Sequence, residues 1–203
     1  VRITVIGEGG HGGQPNASTD PIVASAQIIN QIQTIVSRNL NPLDSAVISI
    51  CTIQAGTKFN IIPSKVELTG TIRYFTEQTY SILRSRLTEI CENTGRAMGC
   101  RVELTLEPTV SATANDPEVA KVVREAAISL NDQFQIDSTY QTMLSEDVGV
   151  FLEKVPGCFV LVGAGEETDG STYPHHHPRF NFDERAMSVS AALLLQTCLE
   201  LAG

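Results

Sequence analysis

The hydrophobic pattern of the first hundred residues changes period in a regular order. Val1 to Ile6 alternates like a strand. Asp20-Pro21 predicts a helix start, with Asp as N-cap and Pro in the first turn. Ile22, Ala26, Ile29, Ile32 and Val36 then recur at helical spacing to about Arg38, and Asn41 to Asp44 breaks the run. Ala46 to Ile53 is rich in β-branched residues and reads as a second strand. Residues 54 to 63 read as a loop. Lys65 to Phe75 alternates, with Val66, Leu68, Ile72 and Tyr74 on one face and Lys65, Glu67, Thr69, Thr71 and Arg73 on the other. Tyr80, Leu83, Leu87, Ile90, Thr94 and Ala97 trace a long amphipathic helix, stopped at Gly99. Arg101 to Glu107 alternates again, with Val102, Leu104 and Leu106 together. The order is β-α-β-β-α-β, a split βαβ arrangement closing at about Pro108.

The second half reads differently. Ser111 to Asn115 is a polar linker, and Pro117 to Leu130 is helical. Gln133 to Thr142 fits neither period. Glu146 to Lys154 predicts a short helix, Cys158 to Gly163 a buried strand, Gly163 to Thr172 a loop rich in glycine and acids, and Asp183 to Leu201 a last helix. One strand among helices does not close a domain, so this half should need sheet partners that it lacks. The chain also opens on Val1, with a strand already under way. We therefore expect a piece of a longer protein, with domains at 1–110 and 111–203.

Composition narrows the classes. The chain has 203 residues, 42% hydrophobic and 18% charged, the balance of an ordinary globular protein. A net charge of −9 argues against a nucleic-acid or anionic-membrane partner. There is no membrane-length apolar run and no signal peptide, which places the expected location in the cytoplasm. Five scattered cysteines, none in a CxxC, read as free thiols in a reducing compartment.

Candidate chemistry sits in a few patches. Three of the four histidines, His175, His176 and His177, lie between Pro174 and Pro178. Imidazole is the commonest metal ligand, but successive residues of an extended segment cannot all face one ion. One of the three is a ligand, or the segment is a solvated loop. A zinc site needs three or four ligands, and no HExxH or paired Cys/His spacing supplies them. His11 lies in a glycine-rich turn, GEGGHGGQP, where it is either an oxyanion donor or incidental to a tight turn. That turn is not a dinucleotide fingerprint, because its spacing is wrong and no parallel βαβ unit follows. Asn60, in KFNIIP, and Arg73, in GTIRYF, read alone as a capped turn and a solvated charge. Ser145-Glu146-Asp147 reads as helix capping before it reads as catalysis.

In combination these patches gain a family. GEGGHGGQPN, the Asp-Pro helix start, FNIIP, GTIRYF, MLSEDVGVFLEKVPGCFVLVGAG and HHHPRFNFDE occur in that order. The series resembles the amidohydrolase branch of the dimeric zinc-type aminoacylase and carboxypeptidase metallopeptidases, which includes hippurate hydrolases and indole-acetyl-amino-acid hydrolases. The resemblance implies an α+β ferredoxin-like lid that dimerises, followed by the C-terminal part of a zinc-exopeptidase-like α/β catalytic domain. It makes His176 a metal ligand. It makes His11 the histidine that reaches across the dimer and polarises the scissile carbonyl. It makes Asn60 and Arg73 substrate-binding residues, with Arg73 on the carboxylate. The implied cofactors are two zinc ions, with manganese, cobalt or nickel as alternatives.

The family's remaining ligands and its general-base Glu lie upstream of the lid, and nothing in this sequence matches them. The expectation is therefore the C-terminal portion of a hydrolase of N-acyl amino acids or small peptides, inactive alone and homodimeric through the lid. In the intact protein, metal-bound hydroxide would attack the amide carbonyl. The alternative is a dimerisation module without catalysis, since an exposed edge strand invites pairing. A ferredoxin-like RNA binder is disfavoured by the acidic balance and by sheet strands without exposed aromatics.

Overall fold

The computed structural model describes residues 1–107, 110–165 and 173–203. They form two compact units, Val1–Ala112 and Thr113–Gly203.

The first unit is built on strand β1 (Arg2–Ile6), the short β2 (Gly10–His11), helix α1 (Pro21–Thr34), β3 (Ala46–Ala55), the short β4 (Ile61–Ile62), β5 (Lys65–Tyr74), helix α2 (Glu77–Ala97) and β6 (Arg101–Thr105). Four strands make one antiparallel sheet in the order β3-β5-β1-β6. β1 runs between β5 and β6, with Ile3 opposite both Leu68 and Leu104. β2 and β4 pair separately. This is the ferredoxin-like arrangement, with two helices covering one face of a split βαβ sheet.

The alternation along the strands decides what is buried. Ile3, Val5, Val66 and Leu68 point into a core closed by Ala24, Ile28, Ile32 and Ile35 from the α1 side and Leu83, Leu87 and Cys91 from α2. The Asp20 carboxylate accepts from the Ile22 and Val23 amides at 2.8 and 3.4 Å and so caps α1. Thr76 caps α2 through the Thr79 amide at 3.1 Å. Gly99 follows α2 with φ 68°, the left-handed geometry a helix end needs.

The buried face of α1 differs from the predicted one. Pro21, Ala24, Ser25, Ile28 and Ile32 are buried, while Ile22 and Ala26 are exposed. The helix carries apolar residues on two overlapping stripes, and packing against the sheet selects one. The run to Arg38 ends as a π turn, Ile35–Asn39.

The second unit holds α3 (Pro117–Leu130), α4 (Val148–Leu152) and α5 (Arg185–Ala202), with α3 packed on α5. Asp116 caps α3 through the Glu118 and Val119 amides at 2.9 and 3.1 Å. Two expectations are corrected by this unit. No strand forms at Cys158 to Gly163, and Val160 and Leu161 are exposed rather than buried. No other strand of this unit is present among the described residues, so the segment lacks a ladder to join. The Asn115 amide substitutes at one point, donating to the Phe159 carbonyl at 3.0 Å and accepting from its N–H at 2.8 Å. Asp147 begins α4 without a side-chain capping bond, so the capping expected of Ser145 to Asp147 does not form. Of the predicted loop at Gly163 to Thr172, residues 166–172 lie outside the described residues, as does Pro108.

Candidate functional site

His11 and Asn60 are brought together by backbone pairing. β2 and β4 run antiparallel with His11 opposite Ile61 and Gly10 opposite Ile62. The Gly12 N–H extends the contact by donating to the Asn60 carbonyl at 2.9 Å. A Cβ on Gly12 would lie 3.2 Å from that oxygen, so the close approach favours glycine there. The turn closes when the Gln14 N–H donates to the His11 carbonyl at 2.8 Å. Within it, the Gly13 N–H donates to His11 Nδ1 at 2.9 Å. His11 and Asn60 are both exposed. Phe59, beside Asn60, is fully exposed at the tip of the same loop.

Arg73 does not join them within this unit. It lies near the far end of β5, opposite Val47 of β3, while β2 and β4 adjoin the Lys65 end. Eight residue steps of strand take the chain from Lys65 to Arg73, roughly 26 Å at the usual rise. That is longer than an acylated amino acid. Arg73 is half-buried on the sheet face opposite the helices.

The three adjacent histidines are sorted by their ring contacts. The His177 ring stacks on Tyr173, with centroids 4.3 Å apart and planes 10° apart. Its Nδ1 accepts from the Arg179 N–H at 3.1 Å, and the Arg179 guanidinium donates to the Tyr173 hydroxyl at 3.1 Å. The His175 ring meets Phe180 edge-on at 4.9 Å. The exposed His176 ring has neither kind of partner among the described residues. Its backbone is also singular, with φ 68°, the one positive φ of a non-glycine among the described residues. An imidazole-bearing residue held there stores strain, of a kind that clusters at functional sites.

Among the described residues, no three His, Cys, Asp or Glu side chains converge as a metal site. His176 is one donor without companions, so this chain's described residues do not fit a complete metal centre.

Two features left little trace in the sequence. The Gly13 N–H bond to His11 was signalled only by a glycine pair after a histidine. The Tyr173–His177–Arg179 stack had no signal, because tyrosine four residues before histidine is common in any loop.

Comparison with known proteins adds the family. Residues 1–98 match the peptidase dimerisation domain. N-acetylcysteine deacetylase of Bacillus subtilis is 37% identical over 190 residues, covering 94% of this chain and 48% of that protein. Thermostable carboxypeptidase 2 of Saccharolobus solfataricus is 37% identical over 194 residues, covering 94% and 48%. The solved structure of a dinuclear metal binding peptidase from the M20 family of Bacillus subtilis superposes with a TM-score of 0.76 at 28% identity, over 98% of this chain and 49% of that one. The chain thus spans about half the length of the curated relatives it matches. Residues 1–98 thus match the M20 peptidase dimerisation domain, and the relatives that the chain matches are named deacetylases and carboxypeptidases.

Proposed function

We propose that the protein containing this chain is a metal-dependent amidohydrolase that cleaves N-acyl amino acids or small peptides as a homodimer. The observation that carries this reading is the β2–β4 pairing, which fixes His11 beside Asn60 in a chain whose relatives are named deacetylases and carboxypeptidases. His11 donates to the oxyanion that forms at the scissile carbonyl. Asn60 positions the substrate, and Arg73 grips its carboxylate.

The span along β5 supports a reading in which these residues serve sites of different chains. His11 and Asn60 reach into the partner's site, while Arg73 serves the site to which the partner brings its own histidine. Dimerisation supplies the geometry through β3, an edge strand whose Ile53 is exposed, and through the exposed Ile22 and Val23 of α1. His176 contributes one ligand to a pair of divalent ions, zinc first among manganese, cobalt and nickel, and the other ligands lie outside this chain. We place the protein in the cytoplasm, in keeping with its five free cysteines.

The test uses the full-length protein with N-acetyl amino acids and dipeptides. His11→Ala lowers kcat about 10²–10³-fold with a smaller change in KM. An unchanged kcat refutes the oxyanion role. The alternative reading makes the 203-residue chain a dimerisation module without catalysis of its own, and the exposed edge strand β3 is what favours it.

A further inference from the structure

We propose that Gly13 is a positioning residue that fixes the tautomer of His11. The Gly13 N–H donates to His11 Nδ1 at 2.9 Å. A backbone N–H can only donate, so Nδ1 must carry its lone pair. The neutral imidazole then bears its proton on Nε2, the nitrogen left to face a ligand. His11 is thereby preset as a hydrogen-bond donor.

Two further observations support the assignment. The turn that carries Gly13 is closed by the Gln14 N–H on the His11 carbonyl at 2.8 Å and anchored by the Gly12 N–H on the Asn60 carbonyl at 2.9 Å. The donor is therefore held in place independently of the ring. The ring also packs on Gly13 itself, since a Cβ there would lie 3.2 Å from Nδ1 and 3.3 Å from Cε1. A side chain at position 13 crowds the ring, which must give by a few tenths of an ångström and so lengthens its bond to the amide. An imidazole with the other tautomer would turn a lone pair toward a carbonyl oxygen and repel it. This last step rests on the amidohydrolase reading, whereas the tautomer does not.

The test begins with long-range ¹H–¹⁵N spectra of the 203-residue chain, with His11→Gln used to assign the ring. The expected result is a protonated Nε2, an unprotonated Nδ1 and a scalar coupling across the hydrogen bond from the Gly13 amide. In Gly13→Ala the coupling disappears and the Nδ1–H form gains population. In the full-length enzyme the same substitution lowers kcat about 10–100-fold with KM far less affected. A predominant Nδ1–H form in the wild-type chain overturns the proposal, as does a retained coupling in Gly13→Ala. Where Gly13→Ala disrupts the turn, the wild-type coupling alone decides. The predicted tautomer with an unchanged kcat in His11→Ala upholds the positioning and overturns the catalytic role of His11.

Discussion

Cys91 shows how one buried residue ties the fold to pH. It lies on the inner face of α2, and burial pushes its thiol from 9.0 up to about 12, with Glu92 adding to the rise. The folded state thus holds the proton more tightly than the unfolded chain does. Stability from this source is complete below the unfolded value and is lost as pH climbs toward the folded one. Urea midpoints should fall between pH 9.0 and about 12, and Cys91→Ala should flatten that fall. Parallel slopes in the two proteins would contradict the assignment. At this same scale the sequence was only partly legible. His11 and Asn60 were visible as residues in loops, yet their meeting depends on a two-residue ladder too short to leave a periodic signal. His176 was singled out by the resemblance, not by any pattern of its own, and ring contacts and a left-handed backbone set it apart from its two neighbours in the structure.

At the scale of elements, the β3–β5 pair carries the device least evident in the sequence. Its register shifts between Ile50 and Thr52, so Cys51 is the extra residue of a bulge. Gly70 faces this point, and a Cβ there would lie 1.9 Å from the Ser49 carbonyl oxygen. Gly70→Ala should cost about 1–3 kcal/mol through overpacking against a backbone that cannot yield easily. Chemical denaturation checks it, and a loss under half a kilocalorie would show that the strand adjusts. The strands and helices of the first unit were legible because each is amphipathic over several repeats. The face of α1 was not, because two apolar stripes overlap and only the sheet chooses between them. Cys158 to Gly163 misled for a related reason. An apolar run signals burial in a sheet, but pairing needs a neighbouring strand, and the second unit offers none among its described residues.

At the scale of the whole molecule, the proposed function divides the chemistry between chains. In that reading His11 and Asn60 come from the β2–β4 loops, Arg73 from the far end of the sheet and His176 from the second unit. A hybrid dimer tests this division. Full-length His11→Ala and His176→Ala should each be inactive alone. Co-expressed with different tags, they form a mixed dimer in which one site receives an intact histidine from each chain. Mixing should restore about a quarter of wild-type turnover, since half the dimers are hybrid and half their sites are whole. Purified hybrid dimers without activity, from variants that fold and dimerise, would show that His11 serves its own chain and would contradict the sharing of the site across the dimer.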